Sequence, residues 1–148
     1  MWDAAKGKVI KEFKDAANAY RFAGFSDDGK KIITSSFNRT VSIWDIESGA
    51  KNKDFTGHST TVTSARLDSS GERLLTSSTD NTVKIWDVKT ASPLFTILPL
   101  NDKDYLVIDK NNRYDGSENA RKTLYFTCGI EMIELDQVND QLWVPGLA

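Results

Sequence analysis

Over the first two thirds of the chain, apolar positions come in short alternating runs, and polar residues cluster between them. Residues 20–25 (YRFAGF) and 62–67 (VTSARL) read as strands. Each runs into turn chemistry, Ser26-Asp27-Asp28-Gly29 and Asp68-Ser69-Ser70-Gly71. Residues 31–36 (KIITSS) and 73–78 (RLLTSS) follow as second strands. After a polar turn, residues 40–44 (TVSIW) and 82–86 (TVKIW) form third strands. A fourth strand per unit is expected over 8–13, 51–55 and 94–97.

The pattern repeats. Trp-Asp occurs at 2–3, 44–45 and 86–87, each pair 42 residues after the last. Gly29 matches Gly71 at that interval, Ser35-Ser36 matches Ser77-Ser78, Thr40-Val41 matches Thr82-Val83, and Ile43 matches Ile85. Four short strands per period, with Trp-Asp closing the third, resemble the blade of a WD40 β-propeller. The second repeat is the fuller copy, with Gly57-His58 ahead of its first strand, Ser78 ending its second, Asp80 in the next turn and Trp86-Asp87 at its close. The resemblance implies an all-β fold over residues 1–97: a partial propeller of four-stranded antiparallel blades ending at Trp2, Trp44 and Trp86. It also implies a hydrogen-bonded chain of His58, Ser78, Asp80 and Trp86 inside the second blade. Asp80 would hold the imidazole tautomer, and the imidazole would bridge Ser78 and the indole N–H. The first repeat has Ala16 and Asn38 in place of His58 and Asp80, and a more weakly held blade is expected there.

The period ends near residue 98. At 128–129, where a further Trp-Asp is due, stand Cys128-Gly129. Residues 98–148 instead read as a small α/β extension: a strand over 105–109, a polar turn, and a helix over about 118–126. Asp115 with Glu118 three positions on suits its N-terminal cap. Ala120, Leu124 and Cys128 would share a face of that helix. Residues 130–135 fit either a strand or a helical turn, and Leu135, Val138 and Leu142 suit a short final helix. The runs Tyr114-Asp-Gly-Ser-Glu-Asn-Ala, Ile133-Glu-Leu-Asp-Gln137 and Pro145-Gly-Leu147 resemble a segment that follows WD40 repeats in large bacterial proteins, many with a caspase-like peptidase domain. That resemblance implies a bacterial, modular protein of which this chain is a piece. It places no peptidase in the chain itself.

Composition changes this picture little. In 148 residues, 39% are hydrophobic and 27% charged, the balance of an ordinary globular protein. A net charge of −2 gives no general pull toward nucleic acid or anionic membrane, and neither is expected as a partner. No apolar run approaches the ~20 residues of a membrane helix. One cysteine, Cys128, allows no intrachain disulfide, which favours a cytoplasmic setting.

Catalytic constellations are scarce. His58 is the one histidine, and its place in the blade chain accounts for it. One His and one Cys fall short of a zinc site, which needs three or four ligands. Asp109, Asn111, Arg113 and Asp115 alternate like a calcium loop, but Arg113 stands where an oxygen is needed and Tyr114 where glycine is needed. No cofactor is expected. Lys51, Lys53, Lys84 and Lys89 read as a solvated face.

What remains is partner recognition. Tyr20, Arg21, Phe37 and Arg39 lie near the loops that WD40 proteins often use, and are residue types that dominate interface hot spots. Asn18 and, in the second repeat, Ser59, Thr60, Thr79 and Asn81 lie in the same loops. Two repeats are too few for a ring of about 4–8 blades. The expected function is a non-catalytic interaction scaffold, completed by other blades from its own or another chain. The start within a repeat fits an excised piece or a composite oligomer, and the tail is a candidate cap for an open blade face.

Overall fold

A computed structural model describes residues 1–14, 19–123, 125–128, 131–135 and 142–147. The chain starts with two strands of two residues each, β1 (Trp2–Asp3) and β2 (Lys8–Val9), paired antiparallel. The first blade follows as a meander of β3 (Tyr20–Phe25), β4 (Lys31–Ser36), β5 (Val41–Asp45) and β6 (Lys51–Phe55). The second blade repeats it as β7 (Val62–Leu67), β8 (Arg73–Ser78), β9 (Val83–Asp87) and β10 (Pro93–Pro99). Even the irregularities repeat. The register slips between Tyr20 and Phe22 in one blade and between Val62 and Ser64 in the other. The third-strand aspartates explain the turns that follow. Asp45 Oδ1 accepts from Ser48 N at 2.7 Å, and Asp87 Oδ1 from Thr90 N at 2.6 Å.

Some strand bounds differ from expectation, β10 running longer than the expected 94–97. The third strands start at Val41 and Val83, one residue late, and run on through the aspartates. The strand expected over 8–13 covers only Lys8–Val9. Beyond it the amides of Ile10 and Lys11 both turn to the carbonyl of Met1.

The main core lies between the blades. Ile33, Val41, Ile43 and Phe55 of the first pack on Val62, Ala65, Leu67, Leu74 and Trp86 of the second. All nine are buried, and each large side chain among them stabilises the fold by roughly 1.5–3 kcal/mol. Alternation selects these residues. Ile33 and Ile43 are register partners on one face of the first sheet, as are Leu74 and Trp86 on one face of the second.

The second sheet continues past its fourth strand. β11 (Tyr105–Asp109) pairs with β10 from Phe95↔Asp109 to Pro99↔Tyr105, and β12 (Tyr114–Gly116) pairs with β11. The result is one six-stranded sheet, β12-β11-β10-β9-β8-β7. Through β11 and β12 the extension therefore covers the blade's outer edge with backbone hydrogen bonds, rather than capping an open blade face, which was one of the alternatives. Gly116 makes the last pairing possible, since a Cβ there would lie 2.6 Å from the Tyr105 carbonyl oxygen.

The helix α1 (Glu118–Thr123) is shorter than expected. Residues Tyr125–Cys128 form β13, paired with β14 (Glu131–Glu134) in a hairpin. The β-favouring run Tyr125-Phe126-Thr127 prevails over the helical reading of that stretch. Cys128 thus ends a strand, not a helix face, and Leu124 lies outside the described residues. The cap is Ser117, whose Oγ accepts from Ala120 N at 3.3 Å. Asp115 turns elsewhere: it accepts from Gly146 N at 2.7 Å and Trp143 Nε1 at 3.3 Å. A second core joins Leu106, Tyr114 and Leu135, with Leu98, Leu142 and Trp143 against it. Tyr114 Oη donates to the Leu135 carbonyl at 2.6 Å. Most of the expected final helix, including Val138, lies outside the described residues.

Candidate functional site

The polar chain in the second blade is built from four segments. Trp86 comes from β9, Thr76 from β8, His58 from the loop before β7, and Asp80 from the turn between β8 and β9. The indole Nε1–H donates to Thr76 Oγ1 at 2.8 Å. His58 Nε2 lies 2.8 Å from the same oxygen, and His58 Nδ1 lies 2.9 Å from Asp80 Oδ2. A carboxylate only accepts, so Nδ1 carries a proton; in the neutral tautomer this sets, Nε2 accepts and the Thr76 hydroxyl donates to it. Every member of the chain is then satisfied. Gly57 lets the loop approach, since a Cβ there would lie 3.2 Å from the Trp86 ring.

The hydroxyl in this chain is Thr76 and not Ser78. Ser78 lies further along β8, beyond reach of the indole; its Oγ donates to the Thr61 carbonyl at 3.0 Å and accepts from Asp80 N at 3.1 Å. It shapes the turn that presents Asp80. The first blade repeats the inner half, with Trp44 Nε1 donating to Thr34 Oγ1 at 2.9 Å. Its Asn38 accepts from Thr40 N at 3.1 Å, as Asp80 does from Thr82 N at 3.0 Å. Ala16, opposite His58 in the repeat, lies outside the described residues, as does Asn18. The signal for threonine was present: Thr34 and Thr76 recur at the same 42-residue interval as the tryptophans.

Burial pushes the Asp80 carboxyl up. Hydrogen bonds from Thr82, His58 and the Ser59 amide outweigh it and hold the group well below the usual carboxylate range. Lys84 departs from the solvated face expected of it. It is half-buried and donates to Thr96 Oγ1 at 2.8 Å, and burial holds its ammonium below the ordinary lysine value. Lys53 donates to the Lys89 carbonyl of the next blade at 2.9 Å.

The structure separates the four partner-contact candidates. Phe37 is 59% exposed in the loop after β4. Arg39, at φ 73°, donates through Nη1 to the Ser59 carbonyl at 3.1 Å, tying the loops of the two blades together. Arg21 is exposed on β3. Tyr20 instead lines a cleft on the outer face of the first blade, with Met1, Phe13 and Phe25. In the second blade Thr60 and Thr79 hydroxyls lie 2.9 Å apart, and Asn81 Nδ2 donates to the Pro99 carbonyl at 3.3 Å.

The calcium-like stretch is a closed turn. Asp109 accepts from the amides of Asn111 and Arg113, and its Oδ2 takes the Arg113 guanidinium at 2.7 Å. Among the described residues no group of three or more His, Cys, Asp or Glu could hold a metal ion. No helix among them is long and apolar enough to cross a membrane.

Meander sheets with repeated register slips, packed face to face and each holding a buried Trp–Thr link, define a run of propeller blades. The WD40 family model, described as "WD domain, G-beta repeat", matches residues 7–45 and 49–87. The chain belongs to the WD40 family. No curated protein sequence matches the chain significantly.

Proposed function

We propose that this chain is a non-catalytic protein–protein interaction scaffold: the C-terminal part of a WD40 propeller whose remaining blades come from its own protein or another chain. The supporting observation is that His58 is only 6% exposed and has both ring nitrogens engaged within the blade. The one histidine is thus committed to holding a loop. The contact face is the loop end carrying Phe37, Arg39 and Arg21, with a protein and not a nucleic acid or a membrane as partner. The setting proposed is the cytoplasm.

The test compares wild type with Phe37→Ala/Arg39→Ala in crosslinking pull-downs from the source cells. Loss of specific crosslinked proteins, with an unchanged circular dichroism spectrum, is the expected result. Equal recovery by both would remove this face from the proposal. A second reading is a regulatory segment of a multidomain bacterial caspase-like peptidase. The continuous sheet from β7 to β12 favours it, because it makes blade and extension one body able to pass a binding event onward.

A further inference from the structure

A row of register partners crosses the second blade: Thr76↔Lys84, Lys84↔Thr96 and Thr96↔Ile108. Lys84 and Thr96 form a polar seam in it, with an apolar core to either side. Trp86, two residues from Lys84 on the same face, belongs to the main core. Ile108, and Leu98 two residues from Thr96, pack against the second core. The Lys84 side chain is half-buried in this seam. It donates to Thr96 Oγ1 at 2.8 Å, and that neutral hydroxyl is the partner the described residues give its ammonium.

The first blade fills the same positions differently. One period earlier, Ser42 and Asp54 stand opposite each other in the register of Lys84 and Thr96. There the Ser42 hydroxyl donates to Asp54 Oδ1 at 2.6 Å, and Lys51 Nζ lies 2.8 Å from Asp54 Oδ2. A carboxylate thus fits the fourth-strand position of a blade. In the second blade the amine has come and the carboxylate has gone, and Pro93 stands in the place of Lys51. An amine buried without a countercharge gives up its proton more readily, and the neutral amine is the nucleophile. Burial holds the Lys84 ammonium below the ordinary lysine value, and the charge of Asp80, in the turn before β9, works against that.

We propose that Lys84 is an acylation site that takes the acyl group of a small acyl phosphate. The neutral Nζ attacks the carbonyl carbon. The C–N bond forms, the C–O bond to phosphate breaks, phosphate leaves with that electron pair, and the surplus proton on nitrogen passes to water. The product amide keeps an N–H for Thr96 Oγ1 and has no charge to desolvate. A small donor suits a half-buried amine better than a bulky one. The site lies in the sheet, apart from the contact face proposed above, and does not depend on it.

The test treats the full chain with acetyl phosphate and follows each lysine by mass spectrometry against time and pH. Near neutral pH, Lys84 is expected to react several-fold faster than the exposed Lys103 and Lys110, and to reach its full rate at lower pH. Thr96→Asp, which copies the first blade's residue, is expected to slow Lys84 to the rate of those two and to leave theirs unchanged. Concentrated urea is expected to erase the difference, because it removes the burial. Lys84 no faster than Lys103 and Lys110 in folded wild type would overturn the proposal, as would an unchanged Lys84 rate in Thr96→Asp. A lead that survives in urea would assign the reactivity to local sequence and overturn it too. Circular dichroism checks that Thr96→Asp is folded, and the wild-type comparison decides without that variant.

Discussion

Thr76 is the residue on which the second blade's polar chain turns. It is 1% exposed and touches both the indole N–H of Trp86 and Nε2 of His58. Thr76→Val leaves both without a partner, and each unsatisfied buried group costs about 1–3 kcal/mol. Ser78→Ala loses the bonds to the Thr61 carbonyl and from the Asp80 amide, each worth about 0.5–1.5 kcal/mol, at a half-buried site where water can replace the hydroxyl. Urea unfolding is expected to rank Thr76→Val as clearly the more damaging; the reverse order would return Ser78 to the chain. Asp80 sets a pH dependence of definite sign. Its folded-state carboxyl is held below the ordinary value of about 3.9, so its contribution is complete above that pH and is lost as the pH falls through the lower folded value. Asp80→Asn is therefore expected to shrink the loss of stability between neutral pH and about pH 3, measured as the shift in urea midpoint relative to wild type.

The extension is held as an element by β10–β11–β12 pairing and by Asp115. Gly116→Ala forces a Cβ toward the Tyr105 carbonyl oxygen at 2.6 Å. Amide exchange at residues 106–108 is expected to quicken, while that of β9 stays as in wild type; equal acceleration in both would show that the sheet opens as a whole. The repeating strands were legible because alternation and a fixed period state the same thing twice. The boundaries of β3, β4, β6, β7 and β8 match the sequence reading, and β11 was legible from its apolar run. The pairing of β11 with β10 was not. It joins residues such as Pro99 and Tyr105 across a turn with no periodic counterpart, and edge-strand partners leave no local mark. The choice of strand over helix at Tyr125–Cys128 turned on a hairpin partner, β14, whose own sequence fits either state.

At the scale of the whole molecule, equivalent residues have unequal weight. Ile33 lies inside the core between the blades, whereas Leu75, one 42-residue period on, is 47% exposed. Ile33→Ala is expected to cost about 2–5 kcal/mol, the usual range for a buried truncation. Leu75→Ala is expected to stay within about 0.5 kcal/mol, as for an exposed site. Matched thermal melts would show it, and equal losses at the two positions would mean that the second blade's outer face is already covered. The period alone could not reveal this asymmetry. It assigns both residues the same place in a blade, and only the presence or absence of a neighbouring sheet distinguishes them.

The buried indoles have an optical consequence. Trp44 and Trp86 are 3% and 1% exposed, one in each blade, whereas Trp2 is 67% exposed and Trp143 stacks under Arg121 in the extension at 4.4 Å. Each part of the chain thus carries its own fluorophore in a distinct dielectric setting. Emission from chains that keep one indole at a time would time the melting of first blade, second blade and extension separately, with no added label.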